Sequence, residues 1–157
     1  MEAYERHGRA LVRKAVRILG NAEDARDLVQ GLFVDLHVRG ETPTDLPYLY
    51  RAVTNRCLTF LRDETNRARL LERNDTSLFP AARTACDDQA IGLDLLTKLV
   101  AVLDESETEV LTYRYLDDMT QDEIATLLGV SRKTIGKRLD RVREAVRRMT
   151  GVERGES

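Results

Sequence analysis

The stretch TQDEIATLLGVSRKTIGKRLDRVREAVRRM, residues 120–149, decides the fold of the C-terminal part of this chain. It opens with Thr120-Gln-Asp-Glu123, the S/T-x-x-E form in which a hydroxyl and a carboxylate satisfy two orphan amides at a helix start. Ile124, Leu127 and Leu128 then repeat at helical spacing, and a tight Gly129-Val130 turn leads to Ser131, a favoured N-cap. From there Ile135, Leu139, Val142, Val146 and Met149 step by four, three, four and three, which lines them along one side of a second helix. Arg132, Lys133, Lys137, Arg138 and Arg141 fall on other faces. A short helix, a glycine turn and a capped second helix are the grammar of a helix-turn-helix. A helix from Ser131 to Met149 is about 27 Å long at 1.5 Å rise per residue, so its first turns can enter a major groove while its end supports the core. Between Ser131 and Thr150 eight basic residues stand against Asp140 and Glu144, net +6, an electrostatic footprint suited to phosphates. The plainer alternative is a helical hairpin with a solvated basic surface.

Outward from this segment, nearly every periodic stretch follows the 3.6-residue rhythm, and the fold class expected is all-α: two small helical domains joined by a linker. A first helix carries Leu11, Val12, Ala15, Val16 and Leu19 and stops at Gly20-Asn21. A second, with Glu23, Asp24 and Asp27 near its positive end, aligns Ala25, Leu28, Val29, Leu32, Phe33 and Leu36 and closes at Gly40. Glu41 to Asp45 is a loop, and Pro47 suits the first turn of a third helix bearing Leu49, Ala52, Val53, Cys57, Phe60 and Leu61. These elements make a domain of residues 1–63. The pattern degrades over 64–90, where Asn66 to Arg73 can prolong a helix but Asn74 to Ser77, Pro80 and Cys86 to Asp88 read as linker. Residues 91–157 form the second domain, beginning with Leu95, Leu96, Leu99, Val100 and Leu103. A further capping signature, Ser106-Glu-Thr-Glu109, precedes Val110, Leu111 and Tyr115.

The 157 residues are 42% hydrophobic, enough for packed cores, and the formal charge of −2 hides a division. Residues 1–62 are net +2, 63–119 net −7 and 120–157 net +3. No apolar run approaches the roughly 20 residues that span a bilayer, and Met1 to Arg13 is charged where a signal peptide is apolar, so a cytoplasmic protein is expected. Cys57 and Cys86 lie too far apart for a CxxC clip, and His7 and His37 have no partnered nucleophile, so no metal and no cofactor are expected. No Gly-rich phosphate loop, nucleophile elbow or metal spacing supports an enzyme.

Residues 104–143, DESETEVLTYRYLDDMTQDEIATLLGVSRKTIGKRLDRVR, resemble the fourth conserved region of sigma factors of the extracytoplasmic-function group. AEDARDLVQGLF (22–33) and LYRAVTNRCLTFLR (49–62) resemble that family's second region, so the likeness covers nearly the whole chain. The resemblance implies an RNA polymerase sigma factor. Asp27, Leu28, Gln30 and Phe33 match the helix that docks on the largest catalytic subunit of core RNA polymerase, although Leu28 and Phe33 also fit the core stripe. Gly31 and Leu32 stand where the family usually has Glu and a small polar residue. Arg39, Tyr48, Tyr50, Arg51 and Asn55 match the part that reads the −10 element and helps separate its strands, with Asn55 where an extruded base is expected. Tyrosines beside Asn55 suit single-stranded bases, which are gripped by stacking and edge hydrogen bonds, or else one tyrosine is core. Tyr48 occupies a position usually held by Trp.

In the second domain the resemblance assigns Ser131, Arg132, Lys133, Thr134, Gly136, Lys137, Arg138 and Arg141 to the helix that reads the −35 element. Gly136 replaces a longer polar residue, which either lets the backbone approach the groove or removes one base contact. Expected partners are promoter DNA, core RNA polymerase through its largest catalytic subunit and flap region, and an anti-sigma factor. A competing class is a helix-turn-helix regulator that binds DNA without polymerase, but such a protein has no use for the Asp24 to Phe33 helix or for Tyr48 to Arg62.

Overall fold

A computed structural model describes residues 2–41, 45–74 and 87–151. All regular structure among them is helical: α1 (Glu2–Leu19), α2 (Ala22–Val38), α3 (Leu46–Asn74), α4 (Asp87–Val102), α5 (Glu105–Leu111), a π-helical turn (Thr112–Leu116), α6 (Gln121–Leu128) and α7 (Arg132–Thr150). The chain divides into two compact units, Met1–Thr97 and Lys98–Ser157. Thr42 to Thr44 of the expected loop, and Asp75 to Cys86 of the expected linker, lie outside the described residues.

In the first unit α1 packs on both α2 and α3. Leu11, Ala15, Ile18 and Leu19 meet Ala25, Val29, Leu32, Phe33 and Leu36, with Leu49, Val53, Cys57, Leu58 and Leu61 closing the core. Each fully buried aliphatic side chain contributes about 1.5–3 kcal/mol relative to exposure. Gly20, at φ +73, ends α1, and Asn21 caps α2 by accepting the Asp24 N–H at 2.9 Å. Among the described residues two core members of this unit, Thr54 and Lys14, escape the apolar pattern. Lys14 is wholly buried, with its ammonium 3.9 Å from the centre of the Tyr50 ring, a cation–π contact that offsets part of the cost of burying a charge.

Helix α3 continues through Asn74, so residues 64–74, read from the sequence as the start of the linker, are helical, and α4 begins at Asp87 ahead of Ile91. The apolar stripe of α3 ends at Leu61 while Arg, Glu and Asn carry the helix on, since these residues fit a helix without marking a buried face.

In the second unit the buried residues include Val110, Leu111, Tyr113, Ile124, Ala125, Ile135, Leu139 and Val142. The helix start expected at Ser106 lies two residues earlier. Asp104 is the N-cap, accepting the Glu107 N–H at 2.8 Å while Glu107 Oε1 accepts the Asp104 N–H at 3.1 Å. Both Asp-x-x-Glu and Ser-x-x-Glu fit the sequence, but burial of Glu107, Thr108 and Glu109 requires the whole segment inside the helix. Tyr115 is likewise half exposed, and Tyr113 takes the inward place, its hydroxyl donating to Glu109 Oε2 at 2.8 Å. Every residue from Glu107 to Tyr113 is buried, polar ones included, which an apolar count cannot see. Thr112 donates to the Thr108 carbonyl at 2.9 Å, and no buried side-chain polar atom among the described residues lacks a partner.

Candidate nucleic-acid and polymerase interfaces

The α6–turn–α7 unit follows from three local devices. Thr120 Oγ1 accepts the Glu123 N–H at 3.1 Å and Glu123 Oε1 accepts the Thr120 N–H at 2.8 Å, closing the capping box. Gly129, at φ +71 and ψ +32, takes the left-handed C-cap that a Cβ would penalise. Ser131 Oγ then accepts the Thr134 N–H at 3.1 Å and starts α7. Ile135, Leu139 and Val142 face inward, which turns Lys133, Lys137 and Asp140 to the opposite side and leaves Gly136 on the flank toward α6.

The basic residues of α7 differ in how free they are. Arg143 pairs with Asp140, while Arg147 and Arg148 pair with Glu144, whose carboxyl is held below its ordinary range chiefly by the Arg147 hydrogen bond. Arg141 lies 3.4 Å from the buried Glu107 carboxylate, and Arg132 3.8 Å from Asp122. Lys133 and Lys137 are exposed and make no ion pair among the described residues, so both ammonium groups project from the first turns of α7, where the helix dipole also favours anions. Thr134, Gly136 and Arg138 are half-buried, and Ser131 is exposed. Near the other end of α7, Val102, Leu103, Ala145 and Met149 line an open groove of about 370 Å³ edged by Arg141 and Arg148.

On α2, Asp27 and Gln30 are exposed and Leu28 half-buried. Phe33 is 6% exposed, its ring meeting that of Tyr4 edge to face at 5.2 Å, so it belongs to the core. Val34 and Val38, 52% and 77% exposed, continue the Asp27–Gln30 face at helical spacing. Sequence reading passes over this pair, whose signal is two valines out of phase with the buried stripe. Beside them Asp35 pairs with Arg56 of α3. Gly31 leaves room there, since a Cβ on it would lie 3.9 Å from Arg56 Nη1.

Arg39 caps α2 at its C-terminus and is exposed. Tyr48, Arg51 and Asn55 share one face of α3, spaced by three and four, with Tyr48 45% exposed, Asn55 exposed and Arg51 half-buried. Arg62 extends the same face, a further position that sequence reading does not single out. Tyr50 turns away, half-buried against Lys14, so the two tyrosines separate into one outward and one inward ring. Among the described residues no group of His, Cys, Asp and Glu is arranged to hold a metal ion, and no helix is long and apolar enough to cross a membrane.

Comparison with known proteins finds a family match toward each end of the chain. Residues 3–67 match the Sigma-70 region 2 family, and residues 93–146 match Sigma-70, region 4. The RNA polymerase sigma-E factor of Streptomyces coelicolor is 32% identical over 133 residues, covering 84% of this chain and 75% of that protein. The sigma-E factor of Streptomyces avermitilis is 33% identical over 135 residues, covering 84% and 74%, and that of Streptomyces antibioticus 31% over 133 residues, covering 84% and 73%. A regulator with a helix-turn-helix alone is not favoured, because it leaves the region 2 match without a purpose.

Proposed function

The chain belongs to the sigma-70 family as an RNA polymerase sigma factor of the extracytoplasmic-function group, and we propose from that premise how its two parts divide the work of transcription initiation. Residues 1–63 hold polymerase and open the −10 element. The exposed α2 face of Asp27, Gln30, Val34 and Val38 docks on the largest catalytic subunit, with apolar area supplied by the valines and register by the polar pair. Leu28 and Phe33 support that face from behind. Tyr48 stacks on an unpaired base, Asn55 bonds a base edge, and Arg39 and Arg51 attract the phosphates alongside. Tyr50, braced by Lys14, keeps α3 at a fixed depth.

Residues 91–157 carry the −35 contact. Lys133 and Lys137 are its leading groups, since neither is paired with a carboxylate among the described residues. Arg132, Arg138 and Arg141 reinforce it, and Ser131 and Thr134 hold the N-terminus of α7. The apolar groove between Leu103 and Met149 suits the polymerase flap region. The protein works in the cytoplasm, performs no chemistry of its own, and is held inactive by an anti-sigma factor.

The observation that carries the proposal is the pair of exposed ammonium groups, without an ion pair among the described residues, on the outward face of a capped α7, in one chain with an exposed α2 face. Reconstitution tests it. Purified chain added to core polymerase should support transcription from promoters selected out of a random library. Failure to co-purify with core polymerase overturns it.

A further inference from the structure

We propose that Gln121, the first residue of α6, is a specificity-determining residue for the upstream element, working in the space that Gly136 leaves open. The proposal rests on the reading of α7 as the helix that enters the groove. Position 136 lies on the half-buried flank of that helix, between the exposed Lys133–Lys137 face and α6, so a side chain there would stand beside the lysines at the edge of the groove. Glycine offers none. An ideal Cβ at 136 would instead sit 3.8 Å from Gln121 Oε1, ordinary van der Waals contact, so the carboxamide of α6 already lies beside this position.

Gln121 is half-buried, which limits its side chain to a few directions, and the closed Thr120–Glu123 box fixes the backbone that carries it. Its amide makes no hydrogen bond among the described residues, leaving the carbonyl and both N–H donors available. Within a groove this group matches adenine, whose N7 accepts and whose N6 donates, and a Gln–adenine pair is bidentate. The neighbouring helix thus supplies the base-reading group that glycine at 136 does not. Any longer side chain at 136 would cover the carboxamide.

The test uses holoenzyme assembled with core polymerase and promoters in which each upstream base pair is changed in turn, with binding measured at one stated salt concentration. Gln121→Ala should lose about five- to hundredfold in affinity when the preferred pair is an A·T pair, and little once that pair is changed. Gly136→Gln should lose discrimination at the same pair, with no further loss in the double variant. A uniform loss over all sequences would make Gln121 a phosphate contact and overturn the proposal. No loss would overturn it as well. Lys137→Ala is the control for the underlying reading: if it too leaves upstream-element use unchanged, α7 is not the reading helix. If Lys137→Ala impairs binding and Gln121→Ala does not, only the role of Gln121 fails. Unchanged thermal unfolding of each variant shows that the loss is one of recognition.

Discussion

Replacing Glu107 by Gln should strengthen upstream-element binding while weakening the fold slightly, because its carboxylate has two separate partners. Oε1 accepts the Asp104 N–H at 3.1 Å, a bond that a Gln carbonyl can keep. Oε2 lies 3.4 Å from Arg141 Nη1, and Gln removes the charge that holds this contact. The Glu107 side chain is only 10% exposed, but that of Arg141 is 69% exposed, so water screens the pair from one side. Two unit charges at about this distance attract by roughly 1 kcal/mol in water, and exposed pairs measure about 0.2–1 kcal/mol. An Arg141 that binds DNA must loosen this contact first. Glu107→Gln should therefore tighten holoenzyme binding by up to about fivefold, the equivalent of 1 kcal/mol, and lower unfolding stability by about 1 kcal/mol or less. The assay is a double-mutant cycle with Arg141→Ala, read by fluorescence anisotropy of a labelled upstream duplex and by urea unfolding. A gain that persists undiminished in the Arg141→Ala background would refute the reasoning, since it would report net charge alone. So would an unchanged affinity in a background where Arg141→Ala impairs binding.

Further outcomes follow from the caps and the two candidate faces. Asp104→Ala should cost about 1 kcal/mol in urea unfolding by removing the α5 cap. The Glu107 N–H, first among its causes, holds the Asp104 carboxyl below its ordinary value of 3.8, so the cap's extra stabilisation is present above that value and fades as pH falls through the lowered one. The gap between the two proteins should accordingly close in strong acid. Asp27→Arg combined with Gln30→Ala should reduce co-purification with core polymerase tenfold or more, with helical content unchanged by circular dichroism. Tyr48→Ala should cost about 1–3 kcal/mol in strand separation at the −10 element, measured by permanganate reactivity of unpaired thymines, without altering binding to an isolated upstream duplex.

Both capping devices around α7 can be read directly, because Thr120, Glu123, Gly129 and Ser131 act on their own backbone and depend on nothing distant. The same holds for Gly20 and Asn21. Readings that fail or fall short involve partners far apart in sequence. Lys14 is invisible as a core residue until α3 brings Tyr50 beneath its ammonium. The α5 start lies at Asp104 rather than Ser106 because tertiary burial of Glu107 to Glu109 chooses between two locally equivalent boxes. Among site residues, the sequence locates the basic face of α7 but does not sort it. The positions of Glu107, Asp122, Asp140 and Glu144 separate the paired arginines from the lysines, which make no ion pair among the described residues. Phe33 matches a docking motif and a core stripe equally well, and its contact with Tyr4 favours the core. Gln121 gives no signal, because its relation to Gly136 exists only once α6 and α7 are packed.

Under the proposed function, two small domains act as one promoter reader only when polymerase holds them. Free chain carries a net −7 over residues 63–119, which repels phosphates. In the proposed division of work, core polymerase fixes the separation and meets the ordering cost through the protein interface. The most direct measurement compares free protein with reconstituted holoenzyme on promoters whose −35 and −10 elements are moved apart by one to three base pairs, at a single salt concentration. The expected result is weak binding by free protein at every spacing, and tight holoenzyme binding that falls sharply as the spacer changes. Tight binding by the free chain that tolerates every spacer would contradict the account.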